Sequence, residues 1–218
     1  MPDFARAREE MVAQQIAGRG ITDPNLLAAM REIPREAFVP DGWRHRAYDD
    51  GPLPIEAGQT ISQPYIVALM IEAAGIVPGG KVLEIGAGSG YAAAVMGLIA
   101  REVIAIERHG ELVQLAASRM ARLGYDNVRV IEGDGSAGCP GEAPFDAILA
   151  AASGSHVPGA LKVQLAIGGS LVMPIGEPHA MQDLVKVTRR AEETFEQESL
   201  CPVRFVPLIG EEGWSERY

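Results

Sequence analysis

Cysteine is almost missing from this chain: only Cys139 and Cys201 occur, with no CxxC spacing. A disulfide framework or a thiolate metal site is therefore excluded as the organising principle. Histidine is nearly as sparse, and the four residues at 45, 109, 156 and 179 form no HExxH or similar cluster, so no metal is expected. Basic runs are absent too. With a net charge of -10 the chain repels polyanions, which argues against nucleic acid as a partner. No apolar run reaches the roughly 18 residues of a membrane span. The N-terminal MPDFARAREEMVAQQ also lacks the apolar stretch of a signal peptide. The expectation is a cytoplasmic protein with no membrane partner. What is present is ordinary globular material, 47% hydrophobic and 22% charged. Its 218 residues suffice for one large core but not for two full-sized domains.

Phe4, Met11, Val12, Gln15 and Ile16 recur at helical spacing, predicting an amphipathic helix over 3–18 that Gly18 and Gly20 stop. Thr22 or Asp23 then caps a second helix carrying Pro24 in its first turn and ending before Pro34. From Phe38 to Thr60, repeated proline and glycine predict an extended, turn-rich loop. Pro64 opens a mostly apolar helix that Gly75 caps. Beyond Pro78-Gly79-Gly80, short apolar strands at 81–86, 102–107, 128–134 and 145–152 alternate with helices at 90–100 and 110–123. A helix near 157–166 then leads to a fifth strand at 168–176. Such βαβ repeats imply a parallel sheet covered on both faces. The last strands, 183–190 and 198–210, are joined by a short polar stretch and should pair as an antiparallel hairpin. The predicted fold is α/β: a Rossmann-like, mostly parallel seven-stranded sheet ending in that hairpin, with an N-terminal helical extension. This is the arrangement of class I S-adenosylmethionine-dependent methyltransferases.

The sharpest local motif is Val82-Leu83-Glu84-Ile85-Gly86-Ala87-Gly88-Ser89-Gly90, a strand running into a glycine-rich turn and a helix. A dinucleotide-phosphate turn needs GxGxxG, but its sixth position is Tyr91, too bulky for close helix packing. The spacing matches instead the E/DxGxGxG form of S-adenosylmethionine enzymes. Glu84, Gly86, Gly88 and Gly90 are therefore candidate cofactor residues. Glu107 closes the next strand, where a carboxylate can accept both hydroxyls of a ribose. Asp134, in Gly133-Asp134-Gly135, ends the third and is a candidate acceptor for an adenine amino group. The plainer alternatives are a tight turn, a solvated strand-end charge and a turn-former.

The segment Gly58-Gln59-Thr60-Ile61-Ser62-Gln63-Pro64 resembles the hallmark of protein-L-isoaspartate O-methyltransferases, and Ala47-Tyr48-Asp49-Asp50-Gly51-Pro52-Leu53-Pro54-Ile55 is similar to the same family. The likeness extends through VLEIGAGSGY, Ile106-Glu107-Arg108, Gly133-Asp134-Gly135, Val172-Met173-Pro174-Ile175-Gly176 and Phe205-Val206-Pro207-Leu208, nearly the whole chain. The resemblance implies transfer of a methyl group from S-adenosylmethionine to the α-carboxylate of L-isoaspartyl residues, and more weakly of D-aspartyl residues, in damaged proteins and peptides. The ester then cyclises to a succinimide and reopens partly as normal aspartate. It also implies Ser62 as the active residue, read here as a carboxylate-positioning donor rather than a nucleophile, because no histidine accompanies it in the pattern. The alternative for Ser62 is helix capping alone. Arg108 and Gly135 join the cofactor set. Leu53, Pro54, Ile55, Gln59, Thr60, Val206 and Pro207 are the candidate substrate-binding residues. The chain departs from the family pattern at Tyr65 and at Ala150-Ala151-Ala152-Ser153-Gly154-Ser155.

One methyltransferase domain over 1–218 is expected, with N-terminal helices and substrate loop over 1–60, a cofactor-binding core over 61–218, and a monomeric state. Two other readings remain: a carboxyl methyltransferase acting on one dedicated peptide, and a non-catalytic cofactor-binding relative. A nucleic-acid N-methyltransferase would place an Asn/Asp-Pro-Pro-aromatic motif after the fourth strand, where AAASGS stands.

Overall fold

Residues 3–216 are described by the computed structural model of the chain; of the acidic C-terminal tail, Arg217 and Tyr218 lie outside them. The Asp3 side chain accepts from the Arg6 amide and starts α1 (Phe4–Glu10), which continues as a π-helical turn over Met11–Ile16. The wider turn brings Met11, Val12 and Ile16 into the core together. Gly20, left-handed at φ 99°, ends this segment. Asp23 is the cap of α2 (Pro24–Glu32), accepting from the amides of Asn25 and Leu26 at 2.8 and 3.1 Å.

The loop expected over 38–60 is more ordered than its prolines suggest. It holds short 3₁₀ turns and a two-rung ladder of β1 (Leu53–Pro54) and β2 (Thr60–Ile61), closed by the Ile55 amide donating to Gln59 O at 2.9 Å. Then comes α3 (Pro64–Ala74), ending at Gly75 in the left-handed region.

The core sheet contains β3 (Lys81–Ile85), β4 (Glu102–Glu107), β5 (Val128–Glu132), β6 (Phe145–Ala150), β7 (Leu165–Ile175), β8 (Gln182–Ala191) and β9 (Thr194–Val203), in the order β5-β4-β3-β6-β7-β8-β9. The first five strands run parallel, and β8 is antiparallel to both neighbours. From β3 the chain winds outward to β5 and then returns to the far side of β3 as β6. This reversal opens a crevice at the carboxyl ends of β3 and β6, the usual ligand position in open α/β sheets. Side-chain alternation splits the core between two faces. Val82, Val103 and Leu149 join the N-terminal helices, α3, α4 (Tyr91–Gly97) and α5 (Gly110–Leu123), whereas Leu83, Ile85 and Ile148 join α6 (Gly159–Val163) and Leu208.

Two boundaries differ from expectation. The helix expected near 157–166 is only the five residues of α6, because Arg189 donates to the carbonyls of Val163 and Leu165 and lets β7 begin at Leu165 rather than 168. The hairpin closes tightly at Glu192-Glu193, and β9 ends at Val203 rather than near 210. Pro207 has no amide to extend a ladder, and residues beyond Val203 cross the carboxyl edge of the sheet, where Pro207 bridges to Ser153. No described helix is long and apolar enough to cross a membrane.

Candidate active site

At the end of β3 the chain must reverse within five residues, and Gly86 and Gly88 do so at φ 84° and 52°, where a side chain would be strained. The Glu107 carboxylate fixes this turn. Its Oε2 accepts from the Gly88 amide at 2.9 Å and its Oε1 from the His109 amide at 3.0 Å. A carboxylate offers about four lone-pair sites, so each oxygen can accept once more, the capacity a ribose diol needs. Glu84 stands beside it, 2% exposed, with Oε2 buried and without a hydrogen-bond partner. Burial first, and then the charge of Glu107, raise the Glu84 carboxyl well above its ordinary range.

These groups line one side of a cavity of about 640 Å³. The opposite side is formed by Gln59, Thr60, Ser62 and Gln63, and the rim by Phe205, Val206 and Pro207. Ser62 is half-buried, and its hydroxyl is bonded to no described protein group. It is not the α3 cap: that position is Gln63, whose side chain instead donates to Asp50 Oδ1 at 2.7 Å. The expected capping alternative for Ser62 therefore fails on geometry. Ile55 reaches across to the glycine turn, its Cδ1 3.5 Å from where a Cβ on Gly88 would stand. Leu53 and Pro54 lie outside the cavity lining and act through pairing, Leu53 with Ile61 and Pro54 with Thr60.

The remaining cofactor candidates lie elsewhere. Gly90 packs under the turn against Ala116 and Met120, and Gly135 against Ile85. Arg108 and Asp134 line a separate depression of about 440 Å³ with Trp214 and Glu216. Asp134 is already engaged: Oδ1 accepts from the Ser136 amide and hydroxyl at 2.8 and 2.7 Å, and Oδ2 from the Glu211 amide at 2.7 Å. Burial alone would raise its carboxyl, but these bonds hold it below the ordinary range. Arg108 pairs with Glu216 at 2.8 Å.

The family model of protein-L-isoaspartate(D-aspartate) O-methyltransferase (PCMT) matches residues 6–213. The chain belongs to this family. It is 60% identical over 212 residues to protein-L-isoaspartate O-methyltransferase 1 of Rhodopseudomonas palustris (strain HaA2), covering 97% of this chain and 86% of the relative. It is 54% identical over 207 residues to protein-L-isoaspartate O-methyltransferase 2 of Pelobacter propionicus, covering 95% and 92%. A solved protein-L-isoaspartate O-methyltransferase superposes with TM-score 0.85 at 30% identity, over 94% of this chain and 66% of that one. A second, described as a putative protein-L-isoaspartate O-methyltransferase from Plasmodium falciparum in complex with S-adenosyl-L-homocysteine, gives TM-score 0.79 at 27% identity over 93% and 98%. These likenesses bear out the class I methyltransferase fold read from the sequence.

Several residues of this methyltransferase's site escaped the sequence reading. Tyr91, too bulky for a dinucleotide turn, lines the cavity and stacks edge-on against Phe38 at 5.6 Å. Arg119 donates to Ser89 O at 3.0 Å and lies 3.7 Å from Glu56, tying the β1–β2 turn to the glycine turn. The signal was available, because Arg119 shares the buried stripe of α5 with Leu112, Ala116 and Met120. Ser153, in the segment that departs from the family pattern, is a buried hub. Its amide donates to Val206 O, its carbonyl accepts from Leu208 and from the Trp214 indole, and Gln182 holds its hydroxyl. His179, one of the four histidines that form no metal-site pattern, stands on the cavity rim at φ 64°.

Proposed function

We propose that this methyltransferase acts on the α-carboxylate of L-isoaspartyl residues in damaged proteins and peptides, and more weakly on D-aspartyl residues, with S-adenosylmethionine as donor. The observation that carries the reading is the single cavity joining the Glu84–Glu107 turn to the Ser62 loop. The donor set suits the cofactor: the unpartnered Glu84 oxygen fits a ligand ammonium, and Glu107 has acceptor capacity left for ribose hydroxyls. When bound, S-adenosylmethionine supplies an electrophilic methyl group on a sulfonium. The acceptor is a carboxylate with a pKa of about 4, ionised at neutral pH, and so needs no general base. It needs alignment and loss of its water shell. Ser62 has a hydroxyl with no protein partner to give up before donating to that carboxylate. Gln59, Thr60, Val206 and Pro207 wall the acceptor side, and Ile55 closes the gap to the glycine turn. Arg108, Asp134 and Gly135 lie beyond this cavity, so we assign them to a second ring around the cofactor edge of the sheet.

The test uses cofactor carrying a tritiated methyl group, an isoaspartyl peptide and its normal aspartyl twin. Base-labile label on the isoaspartyl peptide alone is expected. Label on neither peptide points to a dedicated substrate or to a non-catalytic protein, and label on both removes the isoaspartyl assignment.

A further inference from the structure

The side chain of Arg35 is fully buried, at 0% exposure, in the N-terminal part of the chain, and no described carboxylate forms an ion pair with it. Burial lowers its pKa, which shows how poorly the site solvates the charge. Its fork is aimed at two main-chain carbonyls. Nε donates to Ala47 O and Nη2 to Ser62 O, both at 2.8 Å, while Nη1 is buried without a partner. The guanidinium carbon lies 4.7 Å from the centroid of Tyr91, which lines the cavity.

A buried cation without an anion is a costly way to hold two carbonyls, and a neutral donor would hold either one more cheaply. What only a planar guanidinium does is span both in one rigid geometry. Ala47 O ends the 3₁₀ turn over Asp41–Arg46 and Ser62 O follows β2, and among described residues Arg35 is the only side chain bonded to Ser62. Ser62 needs such a clamp. Its neighbour Gln63 is held extended, at φ -50° and ψ 135°, ahead of Pro64, and Ser62 itself lies past the end of β2 with no ladder partner.

We infer that Arg35 is a positioning residue for the acceptor side: its fork fixes the Ser62 carbonyl, and through it the direction of the Ser62 hydroxyl, while the cofactor side is held independently by Glu107. The inference rests on the proposed function in taking Ser62 to face the acceptor. The test compares Arg35→Lys, which keeps the charge but not the fork, and Arg35→Gln, which keeps one donor but not the charge, with the parent protein. Three readouts are taken: amide hydrogen exchange across residues 58–63, the dissociation constant for adenosylhomocysteine, and kcat and KM with an isoaspartyl peptide. In both variants exchange at 58–63 should rise tenfold or more and kcat/KM should fall tenfold or more, with adenosylhomocysteine affinity changed less than twofold. Unchanged exchange, or wild-type kcat/KM in Arg35→Lys, overturns the inference. So does loss of cofactor affinity in parallel with peptide turnover, or failure of both variants to fold, since either would assign Arg35 to stability alone. Should the parent itself fail to methylate the peptide, the proposed function falls, while the exchange and cofactor measurements still decide whether Arg35 clamps the loop.

Discussion

Glu84 offers the sharpest test of the cofactor side. Its carboxyl is 2% exposed, one oxygen has no partner, and burial together with Glu107 raises its pKa well above the ordinary value of 4.5. Without ligand, it therefore keeps its proton to higher pH than a glutamate in the unfolded chain. The sign follows: the folded state binds the extra proton, so this group's contribution to stability is fully present below about pH 4.5 and is lost as pH rises through the elevated pKa. A ligand ammonium brought against Glu84 favours the carboxylate and expels the proton. Adenosylhomocysteine binding should thus release up to one proton per chain at pH values between the liganded and the unliganded pKa of this carboxyl. Calorimetric titrations from pH 5 to 8, in two buffers of unlike ionisation enthalpy, measure that release directly. Glu84→Gln should abolish it. The loss of a hydrogen bond to a charged group, about 1.5–3 kcal/mol, should also weaken binding roughly 10- to 150-fold. Buffer-independent enthalpies for the parent, with undiminished affinity in Glu84→Gln, would refute the reasoning.

Ser62→Ala should lower kcat/KM for an isoaspartyl peptide roughly 10- to 100-fold, the scale of one donor to an ionised acceptor, while the adenosylhomocysteine dissociation constant stays within twofold. Equal loss in both would place the hydroxyl outside the acceptor site. A methyl at Gly135 would stand 2.3 Å from Ile85 Cγ2, so Gly135→Ala should cost about 1–3 kcal/mol by overpacking. An unshifted urea midpoint would contradict this packing. Glu142, hydrogen-bonded by Arg129 and Lys81, has its carboxyl drawn from 4.5 down to about 2. Its stabilisation is present above about pH 4.5 and lost as pH falls toward about 2. Glu142→Gln should flatten thermal stability across that interval, and a parent-like acid profile would dismiss the pairing.

Legibility of the site in the sequence followed how local each signal was. VLEIGAGSG was readable because a short apolar strand, a glycine turn and a helix start all lie within one stretch, and Glu107 because it ends the adjacent strand. The third strand stops at Glu132 rather than at Asp134, which caps the next turn, and the return of residues 209–216 across the sheet edge occupies its carboxylate and sets it in its own depression. That return is held by Gln182 at Phe205, Ser153 at Trp214 and Asp134 at Glu211, contacts spanning between 23 and 77 residues that no local pattern reports. Arg35 was unreadable for the same reason. Between Pro34 and Glu36 it looks like surface charge, and only carbonyls 12 and 27 residues away make it a buried fork.

Glu84 and Arg35 are both buried with a polar atom that no described group satisfies, Oε2 of one and Nη1 of the other. Glu84, an acid without a cation, lines the donor side; Arg35, a cation without an acid, reaches the carbonyl of Ser62 on the acceptor side. Only Glu84 lines the cavity, where a ligand ammonium can reach it, whereas Arg35 acts through the Ser62 carbonyl. A protein cation already paired with Glu84 would compete with that ammonium for the carboxylate. Methyl transfer from a sulfonium to a carboxylate consumes one charge of each sign. A largely apolar wall of Ile61, Ile66, Val67 and Phe205 therefore raises the separated charges more than the neutral products. Substituting a charged residue for Ile66 or Val67 should accordingly slow the chemical step more than it weakens binding of the uncharged thioether end of adenosylhomocysteine.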